Sequence, residues 1–377
     1  MSLSKVPEET RNYQSCIKTV MDTSDPDITF DGNGISNHWY EYQSGAAETL
    51  PYLRGDISAL ERTCDRIKEA GRGKPFDCLL GVSGGVDSTY LALRAKELGL
   101  RVLAVHFDNG WNSELAVRNI ERTINTLGLQ LHTLVVDWEE FRDLQRSYFT
   151  AGVINLEIPS DHAIIATLFR LARKFGVRYL ISGNNYVTEG ILPTAWVYNN
   201  LDSKNLSAIQ RRFGTRPLKT YPRISLKDFA YSTFIERIHS VRLLNLEPFN
   251  KKQAMQKISE KLGWEYYGGK HYESIFTRFY QSYVLPVKFG VDKRRAHYSA
   301  LICSGQLTRA DALTALEANP APKDLIEEDR RYVLAKLGIS DAEFDRYMQA
   351  PIVSHLHYPN NQNTMALVRK IKTLLRK

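Results

Sequence analysis

The sequence predicts an α/β fold: a doubly wound parallel sheet with a short N-terminal segment and a mostly helical C-terminal part. Three observations predict it. Apolar strand-like runs alternate with helical patterns between residues 56 and 183, a glycine-rich turn stands where the first run passes into a helix, and beyond Asn184 the pattern changes to aromatic-rich loops and then helices. Strands joined through helices run parallel, with right-handed crossovers and helices on both faces.

From Ile57 the apolar residues Ile57, Leu60, Cys64 and Ile67 recur at helical spacing until Gly71 and Gly73 end the pattern. FDCLLGV (76–82) reads as a strand, SGGVDS (83–88) as a turn, and residues 88–98 as a helix. RVLAVHF (101–107) is a second buried strand, closed by the turn signal Asp108-Asn109-Gly110. A helix over residues 113–127 precedes a third strand, LHTLVVD (131–137), and the helix DHAIIATLFRLARKFG (161–176) precedes a fourth, VRYLISG (177–183). The stretch 221–245 carries on this region, and the residues from Asp292 onward read as helical. The chain divides into 1–55, 56–250 and 251–377.

Bulk properties bound the function. The 377 residues are long enough for two domains, and 43% hydrophobic and 24% charged residues are ordinary for a globular protein. No apolar run is long enough to span a bilayer, and four scattered cysteines form no disulfide framework, so we expect a cytoplasmic protein. The net charge of +8 favours a polyanionic partner, either nucleic acid or a phosphorylated small molecule.

The turn SGGVDS is built for an anion. Gly84 and Gly85 bare the backbone N–H groups, the following helix adds its positive dipole end, and Ser83 and Ser88 add hydroxyls. A Walker loop needs Gly-Lys-Ser or Gly-Lys-Thr after four residues, and a dinucleotide fingerprint needs G-x-G-x-x-G; both are missing. The bland reading is a tight strand-to-helix turn.

SGGVDS resembles the pyrophosphate loop, SGGxDS, of the ATP pyrophosphatase (PP-loop) superfamily, which includes GMP, asparagine and NAD synthetases and tRNA-modifying enzymes. The resemblance implies ATP cleavage between the α and β phosphates, with pyrophosphate held by Ser83, Gly84, Gly85, Asp87 and Ser88. It places magnesium at Asp87, with Asp161 as a further candidate, and adenosine near Phe107, Asp108 and Asn109. Gly183, Asn184 and Glu189 end the fourth strand at the same sheet edge, and Asp87, Asp161 and Glu189 are the catalytic candidates. Each has an ordinary reading: Asp87 as a first-turn acid, Asp161 as a helix cap, Glu189 as a loop acid, and Asp108-Asn109 as a solvent turn.

Over its whole length the chain resembles the N-acetyl sugar amidotransferases of WbpG and PseA type, which serve surface polysaccharide and flagellin glycan synthesis. The resemblance is carried by YQSCIKTVMDTSDPDITFDGNGISNHW (13–39), the loop, EIPSDHAI (157–164) and GGKHYESIFTRFYQSYVLPVKFGVDKRRAHYSALICSGQLTR (268–309). It implies conversion of an acetamido group on a nucleotide-linked sugar to an acetamidino group with ATP, Mg2+ and ammonia, for O-antigen lipopolysaccharide or a related glycan. Lys270, Glu273, Arg278, Lys293, Arg294 and Arg295 are candidates for substrate phosphates or a sugar carboxylate. The alternatives are solvated helix faces and, for Lys270 and Glu273, a pair along a helix. His271 and His297 are proton-shuttle candidates that otherwise read as surface histidines.

The family's N-terminal segment carries paired C-x-x-C motifs suited to zinc, whereas here the four positions are Cys16, Thr19, Ser36 and Trp39. Even with His38 nearby no tetrahedral set remains, so we expect no zinc and packing in its place. None of the cysteines has the flanks of a glutaminase nucleophile, so ammonia is expected from a separate partner resembling the histidine-pathway glutaminase–cyclase pair. The rivals are a tRNA thiolation or lysine-ligating enzyme and a decayed ATP-binding scaffold. Thiolation needs an accessible cysteine, and Cys78 falls in a predicted buried strand and Cys64 on a helix face; we expect no nucleic-acid partner.

Overall fold

The strands of the computed structural model, which describes residues 12–364, are β1 (Cys78–Gly81), β2 (Val102–Asp108), β3 (Gln130–Val135), β4 (Tyr179–Ile181) and β5 (His239–Val241). All pair in parallel, in the order β3-β2-β1-β4-β5. The strands step outward one way from β1 to β3, then restart on the other side of β1 with β4. In such a sheet the loops after β1 and β4 diverge and leave a crevice at their carboxyl ends.

The central strands are apolar because both faces are covered. Cys78, Leu80, Val102 and Ala104 face the larger core cluster, while Leu79, Leu103, Val105 and Leu180 face a smaller one filled by Ala166, Phe169 and Ala172. The helices around the sheet are α1 (Asn37–Thr49), α2 (Ala59–Ala70), α3 (Val86–Glu97), α4 (Glu114–Leu127), α5 (Trp138–Ala151), α6 (Ile158–Phe175), α7 (Tyr186–Glu189), α8 (Ser203–Phe213) and α9 (Leu226–Phe234).

The four strands expected from the sequence are present, and α2 ends at Gly71 as expected, although it starts at Ala59 and leaves Ile57 exposed. Two elements add to that expectation. The edge strand β5 is short and mostly exposed, so it carries no apolar run to announce it; its pairing with β4 is a backbone matter. Helix α5, capped by the Asp137 side chain, buries Phe141, Leu144 and Tyr148 along one face.

The C-terminal helices are α10 (Lys251–Leu262), α11 (Ile275–Phe279), α12 (Leu285–Phe289), α13 (Lys293–Cys303), α14 (Arg309–Glu317), α15 (Lys323–Leu337) and α16 (Asp341–Gln349). They share the larger core with the sheet: α10 packs on α3 and α4, α15 on α5, and α13 on α1 and α7. A π-helical turn at Tyr280–Val284 joins α11 to α12 just before Pro286, which has no N–H to continue the ladder.

The N-terminal segment is knotted by two antiparallel bridges, Ser15↔Asp22 and Phe30↔Ser36. Cys16, Thr19 and Ser36 are all buried; the Cys16 thiol accepts the Ser36 N–H at 3.2 Å, and Trp39 stands edge-on to Tyr40. His38 pairs with Asp25 at 2.6 Å. From α13 and α14, Arg295 reaches Asp22 at 3.0 Å, and Arg309 donates to the carbonyls of Cys16 and Thr19 at 3.2 and 2.9 Å. One thiol and two hydroxyls do not make the sulfur- and imidazole-rich set that zinc prefers.

Candidate active site

The turn after β1 is fixed by close backbone approach. Gly84 has φ +79°, and a Cβ there would lie 2.5 Å from the Ala116 carbonyl oxygen. Gly183, at the end of β4, lies so close to α3 that a Cβ would stand 2.9 Å from the backbone of Asp87 and Ser88. Both glycines therefore set the width of the crevice at the switch point. Within the turn the Gly85 N–H donates to Ser83 Oγ and the Ser83 N–H to Ser88 Oγ, each at 3.3 Å.

A strap from the C-terminal region, residues 264–275, lies over this turn. The Trp264 indole donates to the Gly84 carbonyl at 2.9 Å, and the Tyr267 hydroxyl accepts the Val86 N–H, the first of α3, at 3.3 Å. The far end is stitched to the loop after β2: the Ser113 N–H donates to Glu273 O, and the Ile275 N–H to Trp111 O, both at 2.9 Å. Between these anchors Gly268 and His271 take left-handed backbone conformations, φ +96° and +65°, the latter strained for a residue with a side chain.

The strap brings charge to the turn. Lys270 Nζ lies 3.1 Å from Glu189, at the end of α7, and His271 lies 3.5 Å from Glu273. Lys270 and Glu273 do not pair along a helix: residues 268–274 lie outside the helices, and Lys270 reaches across to the sheet edge. Lys251, the first residue of α10, donates to His297 Nε2 at 3.4 Å, while His297 Nδ1 faces the Thr188 carbonyl at 3.1 Å. His297 is thus no surface group: burial first, then Lys270 and Lys251, hold its pKa well below the ordinary value. Lys251 is lowered too, by burial, with Asp87 opposing.

Asp87 points into this cluster. Burial raises its carboxyl to about 6, against Lys251, and its Oδ1 is buried without a hydrogen-bond partner. Glu189 and Glu273 are also raised by burial, but Lys270 and His271 respectively bring each net below the usual range.

A second charged group stands at the start of α6. Glu157 accepts from Lys293 at 3.1 Å and from Gln281 at 3.2 Å, and burial is outweighed by Lys293, so its pKa is lowered. Asp161, one turn on, is pushed up to about 7 by burial and then by Glu157. His271 bears electrostatically on Asp87 and Glu189 and also on Glu157 and Asp161. Asn109 ties the β2 loop to α6 through Ser160 at 2.9 Å; Asp108 accepts the Gly110 N–H, and Phe107 is buried at the strand end. The Asn184 N–H donates to Ser182 Oγ at 3.2 Å.

The structure does not bring every candidate to the cluster. Arg278 grips Asp329 with two bonds of 2.7 and 2.6 Å, Arg294 is held by Asp292 and the carbonyls of Ala315 and Ala318, and Arg295 serves the N-terminal segment. Lys251, Glu157 and Tyr267 were not singled out in the sequence, because a lysine opening a helix or an acid before Ile-Pro carries no local signal.

The glycine turn at a helix N-terminus, its serine hydroxyls and the orphaned Asp87 oxygen fit a phosphate with a hard cation. Cys78 lies fully buried in β1, and burial pushes its thiol up, as it does that of Cys64 on α2, so neither is poised as a thiolate. Among the described residues no helix is long and apolar enough to cross a membrane.

Residues 273–372 match the family described as LPS biosynthesis protein WbpG-like, C-terminal domain, and residues 77–169 match queuosine biosynthesis protein QueC. No curated protein matches the chain. Among solved structures, the NH3-dependent NAD synthetase from Campylobacter jejuni is 15% identical, with 78% of this chain and 96% of that one covered at a TM-score of 0.30. The glutamine-dependent NAD+ synthetase from Acinetobacter baumannii is 16% identical over 78% of this chain and 45% of that one, TM-score 0.33. A predicted tRNA methyltransferase subunit from Methanocaldococcus jannaschii is 16% identical over 48% and 74%, TM-score 0.29.

Proposed function

Because the chain is a PP-loop protein with a WbpG-like C-terminal domain, we propose that it is an ATP-dependent amidotransferase acting on a nucleotide-linked N-acetyl sugar. The observation that carries this reading is the meeting of the two matched regions: the strap that leads into the C-terminal one lays Lys270, His271 and Glu273 against Asp87 and the glycine turn.

An amide carbonyl resists ammonia because its oxygen is a poor leaving group. In the proposed reaction the acetamido oxygen attacks the α-phosphorus, the bond to the β-phosphate breaks, and pyrophosphate leaves. Ammonia then adds to the imidate carbon, loses a proton, and AMP departs with the former amide oxygen, giving the acetamidino group. Ser83, Ser88 and the N–H groups of the turn hold pyrophosphate, Lys251 and Lys270 neutralise it, and Asp87 would hold magnesium, which would offset phosphate charge. Asp161, with a carboxyl near 7, accepts the proton that ammonia loses. Ammonia comes from a separate glutaminase, and the product enters O-antigen lipopolysaccharide or a related surface glycan.

The test is incubation of nucleotide N-acetyl sugars with the protein, ATP and ammonium, followed by mass spectrometry. The reading requires a product in which oxygen has been replaced by NH, with AMP and pyrophosphate formed alongside. Release of ADP and orthophosphate with the converted sugar would contradict it.

A further inference from the structure

Two buried carboxylate oxygens beside the glycine turn lack a hydrogen-bond partner, Asp87 Oδ1 and Glu273 Oε2. Asp87 belongs to the turn, but Glu273 comes from the strap, nearly two hundred residues away in sequence. Its Oε1 lies 3.4 Å from the position a Cβ would take on Gly85, so the carboxylate stands against the turn. Its backbone is fixed beside the turn, because its own carbonyl is held by Ser113 and its neighbours pair with Trp111 and Asn112.

The cations nearby do not complete its coordination. His271 serves Oε1 at 3.5 Å, Lys270 is bonded to Glu189 at 3.1 Å, and Lys251 is bonded to His297 at 3.4 Å. A carboxylate set over an anion cradle repels a phosphate there, and the repulsion is strong where water is excluded. A desolvated, unpartnered carboxylate oxygen is itself costly. Both costs disappear if a hard divalent cation, which takes oxygen ligands from carboxylates and phosphates together, stands between Glu273 and the bound phosphates.

We propose that Glu273 is a magnesium ligand at the pyrophosphate loop, sharing with Asp87 the ion that enters with the phosphates. The C-terminal region then closes on the loop through the metal, and phosphate binding depends on magnesium more steeply than the loop alone would require. This rests on the PP-loop reading and is independent of the sugar.

The test is calorimetric titration of the full chain with inorganic pyrophosphate, with magnesium and with a chelator, for the wild type, Glu273→Gln and Glu273→Asp. The wild type is expected to bind pyrophosphate tightly only with magnesium. Glu273→Gln removes the repulsion and the ligand together, so metal-free binding should tighten by about tenfold and the gain from magnesium should shrink by about as much. Glu273→Asp keeps the charge but withdraws it from the turn, and should lie between. An unchanged magnesium gain in both variants, at equal thermal stability, would overturn the assignment of Glu273 while leaving the loop intact. If pyrophosphate binds none of the proteins under either condition, the phosphate-loop reading falls and this inference with it.

Discussion

The glycine-turn crevice and the N-terminal segment are both fastened to the C-terminal helices by charged side chains, but they treat charge in opposite ways. In the segment the buried acids are closed off, Asp22 by Arg295 and Asp25 by His38, and Arg309 of α14 donates to two of its carbonyls. In the crevice, Asp87 and Glu273 keep orphaned oxygens, and the Lys251 ammonium is hydrogen-bonded to a neutral imidazole rather than to a carboxylate. A buried polar group without a partner costs about 1–3 kcal/mol. Among the described residues the carboxylate oxygens buried without a partner are these two, and both stand in the crevice, which fits it to a charged ligand.

The contrast breaks most decisively at Asp87. Asp87→Asn should cut turnover by at least about a hundredfold, yet leave the thermal midpoint unchanged or raised, because it removes a desolvated charge and no packing. Retained turnover, or a large fall in midpoint, would make Asp87 a structural residue like Asp22. Arg278→Ala should do the reverse: it strands the buried Asp329 and should cost about 3–5 kcal/mol of stability, with little change in KM for the nucleotide sugar under conditions where the variant is folded. A large KM effect without destabilisation would return Arg278 to the substrate site.

Asp161 sharpens the comparison through pH. Its carboxyl is raised from 3.8 to about 7 by burial and Glu157, so the folded protein favours the protonated form. The stability this gives is fully present below the unfolded value and is lost as pH rises towards the folded one. Asp161→Asn should therefore be more stable than the wild type at pH 8, with the difference shrinking towards pH 4, when thermal midpoints are compared. It should also remove the rise in turnover through pH 7. A midpoint difference independent of pH would show that Asp161 is not perturbed in this way.

The smallest effects belong to the N-terminal segment. Arg309→Ala should lower stability by about 1–3 kcal/mol and leave turnover unchanged. Elemental analysis of the purified protein should find no stoichiometric zinc, since the side chains at the four positions offer one thiol. A zinc ion retained through mild chelation and lost on Cys16→Ser would mean that metal, rather than arginine and packing, holds the segment.

These two regions also differ in how far the sequence reveals them. The alternation of apolar runs and helical patterns is legible because β1, β2 and β4 carry side chains packed between two layers. The glycines are legible because the turn cannot form with a Cβ at Gly84. What escapes is whatever depends on distant partners. Lys270 and Arg278 look alike as isolated cations, and only the fold shows that one meets Glu189 and the other Asp329. Lys251 reads as the solvated start of a helix until α10 is laid against α3. His271 and His297 read as surface groups for the same reason, and β5 escapes because backbone pairing leaves no trace in its three side chains.

The most direct test of the central claim follows the amide oxygen. With a substrate carrying 18O in its acetamido group, ATP and ammonium, the label is expected in AMP, one labelled oxygen for each acetamidino sugar formed. Conversion of the sugar with unlabelled AMP, or with ADP as the nucleotide product, would contradict it.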